Sequence, residues 1–269
     1  KPEAAWALVL DARTGAVLAM VNWPEFDPRA PAAGDPEARR NRVITDAYEF
    51  GSVMKPVTAA IALEAGIVRP ETEFECHNGA WRVGRRVVHD VHEYDRLTVS
   101  DIVTHSSNIG AAQVGLQIGP ERFHGGLRCF GFGEPLRIHL PGEVGGIIRD
   151  VEKWNKHSLI SVAFGQEVAV TPLAVACAFN ALANGGLLLR PQIVQRVVQS
   201  RTGRVVYEMP GPEVVRRVVS EKTAREVMEM MRRVMGGESL DIWLGFRGGN
   251  LVGALGPRAE AEKVFGGLP

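Results

Sequence analysis

Two residues that can do chemistry together stand three apart, Ser52 and Lys55, in Glu49-Phe50-Gly51-Ser52-Val53-Met54-Lys55-Pro56. Residues at that spacing share one face of a helix, so the hydroxyl and the amine can meet. A serine needs an adjacent base to act as a nucleophile at neutral pH. A lysine is that base only where burial or a nearby cation favours its neutral form. The stretch that follows, Val57, Ala59, Ala60, Ile61, Ala62 and Leu63, has no polar side, which predicts a buried helix from Ser52 to about Ala65, stopped at Gly66. A buried amine there needs a partner or a task. Ser-x-x-Lys alone also describes an ordinary helix start with a solvated lysine, and so short a pattern recurs by accident.

A second group, Ser106-Ser107-Asn108, follows about fifty residues later, between two helical stretches. Acyl transfer needs a nucleophile, a base, a relay for the proton to the leaving amine, and donors for the oxyanion. The Ser106 hydroxyl suits the relay, and the Asn108 amide can hold Lys55 while donating to a peptide carbonyl. Turn and cap chemistry is the plain alternative for both. His89, His92 and Glu93 lie close together, but no further ligand pair stands at useful spacing, so they read as surface residues and no metal is expected.

Short elements must position these groups. Trp6–Leu10 and Ala16–Val21, parted by Asp11-Ala12-Arg13-Thr14-Gly15, predict a hairpin whose near-continuous apolarity suggests strands covered on both faces. The proline-rich stretch from Asn22 to Arg42 reads as a surface loop. Alternating pieces from Glu73 to His92, around Gly79 and Gly84, predict a small hairpin excursion. Thr98-Val99-Ser100-Asp101 resembles a capping box opening a helix that ends near His105, with another from Ile109 to Gln117. Gly119-Pro120 opens a third, up to Gly131. Thr171-Pro172 starts a helix closed by Gly185-Gly186. Val194–Ser200 and Arg204–Tyr207 form a second hairpin, and Ser220 caps an amphipathic helix through Met235.

The 269 residues suffice for one large domain, and 45% hydrophobic with 23% charged residues is ordinary globular composition. Lys+Arg of 31 balance Asp+Glu of 31, which argues against a nucleic-acid partner. Cys76, Cys129 and Cys177 are odd in number and widely spaced, so neither a disulfide framework nor a zinc cluster follows. No apolar run is long enough to span a bilayer. Lys1-Pro2-Glu3 leads almost directly into a strand-like segment, and we expect a longer chain upstream.

The flanks of the two motifs fall in a known order. Asn41-Arg42-Val43-Ile44-Thr45-Asp46 precedes Ser52; Leu97-Thr98 precedes Ser106-Ser107-Asn108. Leu140-Pro141-Gly142-Glu143 follows, then Phe164-Gly165-Gln166 leading into Val170-Thr171-Pro172-Leu173. Over about residues 4 to 236 this set resembles the transpeptidase domain of class B penicillin-binding proteins, most closely the septal, cell-division type. The resemblance implies an α/β (α+β type) fold, a central antiparallel sheet flanked by helices on both faces. It implies a D,D-transpeptidase that cross-links peptidoglycan stem peptides. Ser52 would attack the D-alanyl-D-alanine carbonyl, Lys55 would be the base and Ser106 the proton relay, with Asn108 completing the catalytic set. Gly51 and Ser107 would border the substrate. β-Lactams would acylate the same serine, no cofactor is needed, and division-complex membrane proteins are the expected partners. The implied location is the inner membrane, with this domain on its outer, periplasmic side and the anchor upstream.

Two positions depart from the family pattern. Phe50 stands where proline is usual and is expected to loosen the approach to Ser52. More seriously, no Lys-Thr-Gly appears before Pro269; Lys222-Thr223-Ala224 lies in the first turn of a helix and lacks the glycine. We therefore expect an incomplete transpeptidase domain over residues 1–237, its last strands missing, and an atypical tail over 238–269. Leu240, Ile242, Leu244 and Phe246 still alternate as a strand would, and a short helix is expected over 257–265. The alternatives are a β-lactam sensor or division scaffold without turnover, and a serine β-lactamase, for which no second carboxylate motif is identifiable. A Ser-His-Asp hydrolase is weaker, because Ser52 lacks the Gly-x-Ser-x-Gly elbow.

Overall fold

In a computed structural model of the chain, the helix Lys55–Glu64 is buried from Lys55 through Leu63, as its lack of a polar side dictates. The structure describes residues 4–32 and 34–234, together with the backbone of Ile242–Arg247 and Asn250–Leu255. The tail boundary at 237 and the helix expected over 257–265 lie outside the described residues.

Around that helix the others close in at short range. Helix Asn108–Ile118 crosses Lys156–Ala163 where Gly115 faces Ala163; a Cβ at Gly115 would stand 2.7 Å from the Ala163 Cβ. Helix Pro172–Ala183 packs on strand Ala5–Leu10 and on helix Glu221–Val234, which in turn packs on the Lys55 helix. Val227, Met230 and Met231 of that last helix are buried as its amphipathic pattern predicts, whereas Val234, on the same stripe by spacing, is 42% exposed.

The main sheet is antiparallel and runs in the order Asn250–Leu255, Ile242–Arg247, Ala5–Leu10, Val17–Trp23. The predicted N-terminal hairpin is present, its turn closed by the Asp11 carboxylate, which accepts the Arg13 and Thr14 N–H groups at 2.9 and 2.8 Å. Two expectations need correction. The sheet does not lack its last strands, because residues 242–247 pair with Ala5–Leu10 and residues 250–255 extend it. Nor is the hairpin covered on both faces: Trp6 and Leu8 are buried, but Leu18 and Val21 stand 64% and 56% exposed on the edge strand.

The excursion is a hairpin within a hairpin. Glu73–Glu75 pairs with Arg96–Thr98, and between them Ala80–Val83 pairs with Arg86–His89. The Thr98 capping box forms as expected, with the Asp101 N–H donating to the Thr98 hydroxyl at 3.1 Å and the Thr98 N–H to the Asp101 carboxylate at 3.2 Å. The second hairpin pairs Arg196–Val198 with Val205–Glu208.

Candidate active site

Ser52 does not sit in the α-helix proper. Gly51–Met54 is a 3-10 turn that runs into the helix at Lys55, and Gly51 makes the bend with φ of 54°, open to glycine and strained for other residues. The turn is seated from two sides. Tyr48–Glu49 pairs with Val168–Val170, and the Gly51 N–H donates to the Gly165 carbonyl at 3.1 Å. Gly165 fits only without a side chain, since a Cβ there would lie 2.1 Å from the Gly51 carbonyl oxygen. Phe50, expected to loosen this approach, is instead 3% exposed, with its ring 6.3 Å from those of Trp6 and Tyr48. The aromatic side chain anchors by packing what proline would fix by its ring.

Ser52 is exposed, whereas Lys55 is only 2% exposed. The Lys55 Nζ lies 3.0 Å from the Ser52 Oγ, 3.0 Å from the Ser106 Oγ, 2.8 Å from the Asn108 Oδ1 and 2.5 Å from the Ser106 carbonyl oxygen. The last contact depends on Ser106 adopting φ of 58°, a left-handed conformation that costs a non-glycine residue about 1 kcal/mol or more. Two of the four neighbours, the Ser106 carbonyl and the Asn108 amide oxygen, can only accept. They take the two N–H bonds of a neutral amine and leave its lone pair to the hydroxyls, which can donate. Burial pushes the Lys55 pKa down from 10.5 to about 8, against the opposing charge of Asp90. The neutral base is therefore accessible near pH 7, and Ser52 is the hydroxyl it can activate.

Asp90 is the residue that sequence reasoning missed. It ends the inner hairpin and caps the helix that carries Asn108: its carboxylate accepts the Asn108 N–H at 2.5 Å, the Ile109 N–H at 3.0 Å and the Ser107 hydroxyl at 2.6 Å. The Asn108 Nδ2 donates to the His89 carbonyl at 2.9 Å, which fixes the amide with its oxygen toward Lys55. No local pattern marked it: the metal reading set aside above took in His89, His92 and Glu93 but not Asp90. Among the described residues no three His, Cys, Asp or Glu side chains come together to hold a metal ion.

Ser107 needs correction. It is 1% exposed, and its hydroxyl accepts the Gly110 N–H at 2.9 Å while donating to Asp90. It is a helix cap turned inward and does not border the cleft. Glu143 of the Leu140-Pro141-Gly142-Glu143 turn is likewise structural: its carboxylate accepts the N–H groups of Leu136, Arg137 and Ile138. Lys222 is no stand-in for the missing motif, being 82% exposed and facing Glu226 at 3.8 Å on its own helix.

A serine, a buried lysine and a Ser-x-Asn segment in mutual contact can carry out acyl transfer through an acyl-enzyme. The sequence matches the family model described as the penicillin-binding protein transpeptidase domain over residues 5–241. The chain belongs to that family. Among curated relatives of the transpeptidase domain, the probable peptidoglycan D,D-transpeptidase PenA of Neisseria flavescens is 34% identical over 206 residues, 77% of this chain and 51% of that protein. The probable peptidoglycan D,D-transpeptidase FtsI of Caulobacter vibrioides is 32% identical over 73% of this chain and 33% of its own length. The chain thus spans about half of the first relative's length and a third of the second's. Penicillin-binding protein 3 of Mycobacterium tuberculosis, solved with ampicillin bound, superposes with a TM-score of 0.76 and 32% identity, over 87% of this chain and 51% of that one. The transpeptidase domain of penicillin-binding protein 3 from Burkholderia pseudomallei gives a TM-score of 0.73 at 30% identity, over 86% and 62% of the two chains.

Proposed function

We propose that this domain is a serine acyltransferase acting on peptides ending in D-alanyl-D-alanine, a peptidoglycan D,D-transpeptidase that β-lactams acylate at Ser52. The observation that carries the reading is the Lys55 amine, buried and within 3.0 Å of both the Ser52 and Ser106 hydroxyls. Ser52 gives its proton to Lys55 as the Oγ attacks the carbonyl. The proton then passes by way of the Ser106 hydroxyl to the leaving amine, and terminal D-alanine departs. An amine from a second stem peptide takes the acyl group, returning the proton along the same path. Likeness to the class B type supports a location on the outer face of the inner membrane, with an anchor outside this segment and division-complex proteins as partners. Among the described residues no helix is long and apolar enough to cross a membrane.

One observation favours a second reading. The sequence has no Lys-Thr-Gly, the motif that by family likeness supplies a cation for the substrate carboxylate and an oxyanion N–H. A β-lactam-binding protein without turnover would keep the Ser52 constellation and lack that motif. Incubation with a D-alanyl-D-alanine peptide and an amine acceptor separates the two. The transpeptidase releases D-alanine and forms the cross-linked product; a protein that takes up penicillin but releases no D-alanine is the sensor.

A further inference from the structure

Arg86 opens the inner strand of the excursion, three residues before the carbonyl that holds Asn108. Its guanidinium leaves the hairpin altogether. One arm, Nη1, donates to the Ser161 hydroxyl at 2.7 Å, and the plane lies over the Phe164 ring, 5.7 Å from its centroid. Among the described residues it has no carboxylate within ion-pair distance, so no salt bridge draws it there. Both of its targets are buried, Ser161 at 2% and Phe164 at 8% exposed. They belong to the segment that turns at Gly165 and receives the Gly51 N–H. The Ser161 carbonyl itself accepts the Gln166 N–H at 2.9 Å, closing that turn.

The segment 86–90, strand Arg86–His89 with the Asp90 that follows it, therefore touches both halves of the site. Its last two residues fix Asn108, and its first residue reaches the turn against which the nucleophile is seated. We propose that Arg86 is a positioning residue for acylation, a strut that fixes the Ser161–Gly165 turn, and through it Gly51 and Ser52, relative to the Ser106–Asn108 segment. A planar guanidinium suits the task, because it stacks on an aromatic face while directing a hydrogen bond from its edge. The proposal rests on the acyltransferase reading only for its kinetic consequence.

Hydrogen exchange and acylation kinetics on Arg86→Ala, Arg86→Gln and Ser161→Ala test it. Loss of one such hydrogen bond and one cation–π contact predicts about tenfold faster exchange in the peptide spanning residues 50–54 of Arg86→Ala. Exchange in the helix Glu221–Val234 stays at the parent rate. Arg86→Gln, which keeps a donor for Ser161, falls between, and serves if the alanine variant does not fold. In β-lactam acylation the first-order step slows by about tenfold, while binding before acylation changes less than twofold. Unchanged exchange at 50–54, or equal acceleration throughout the chain, overturns the strut. If the parent forms no adduct at Ser52, the functional reading fails, and the exchange data still decide the role of Arg86.

Discussion

The Asp90 carboxylate receives the backbone N–H of Asn108 at 2.5 Å, and the amide oxygen of Asn108 receives Lys55 at 2.8 Å. One acid thus acts on the base twice: it fixes the residue that holds the amine, and its charge opposes the depression of the Lys55 pKa. In Asp90→Asn the charge goes and part of the cap remains. With the negative charge removed, burial acts unopposed and the Lys55 pKa falls below about 8. The acid limb of the acylation profile therefore moves to lower pH, while the plateau rate drops as Asn108 loosens. A limb that moves up or stays put rules out this coupling.

Lys55 carries a stability cost that its function explains. Its pKa is near 8 when folded against 10.5 for an unperturbed lysine. Between those values the unfolded chain holds a proton that the folded chain has released, so this group makes stability rise with pH across that window. At pH 7 the folded protein bears the full cost of the buried cation, roughly 3 kcal/mol. Lys55→Met removes that dependence. Urea unfolding of parent and variant at several pH values should show the stability of the variant, relative to the parent, declining by roughly that amount from pH 7 to 10.5. A constant difference would mean that the lysine is not desolvated as the structure has it.

Gly165→Ala isolates the seating of the nucleophile. Its φ of 79° and the 2.1 Å approach to the Gly51 carbonyl leave no room for a methyl group. Gly51 must move, and with it Ser52; a displacement of about 1 Å at a reacting atom can cost a hundredfold in rate. Stopped-flow acylation of this variant should fall about that far. Parent-like rates would show that the turn is not what sets the hydroxyl.

The missing Lys-Thr-Gly yields a gain-of-function test. A chimera that replaces residues after 237 with the Lys-Thr-Gly-bearing segment of a relative gains an oxyanion donor, worth roughly a hundred- to a thousand-fold in rate. Acylation of the chimera is expected to rise by that factor. Equal rates in chimera and parent would mean that the present tail already supplies the donor.

What could be read from the sequence was local. The i, i+3 spacing of Ser52 and Lys55, the capping box at Thr98 and the buried helix body each depend on residues within one or two turns. The adjacency of Ser106 and Asn108 to Lys55 came from resemblance, and the structure brings those groups together. Asp90 stayed hidden because its contact joins a hairpin end to a helix start eighteen residues on, a juxtaposition without periodicity. Arg86 reaching Ser161, seventy-five residues away, is hidden for the same reason. Ser107 was misassigned because a capping hydroxyl and a substrate-facing one look alike in sequence; only its burial separates them. The apolar run at Ala16–Val21 suggested two covered faces, because run length does not distinguish a central strand from an edge.

Peptide mapping by mass spectrometry after exposure to a labelled penicillin tests the Ser52–Lys55 pair most directly. The predicted result is a single acyl adduct on Ser52, absent from Ser52→Ala and formed at least about a hundredfold more slowly in Lys55→Gln, where the general base is lost. An adduct on any other residue, or a Lys55→Gln variant that acylates as fast as the parent, contradicts the account.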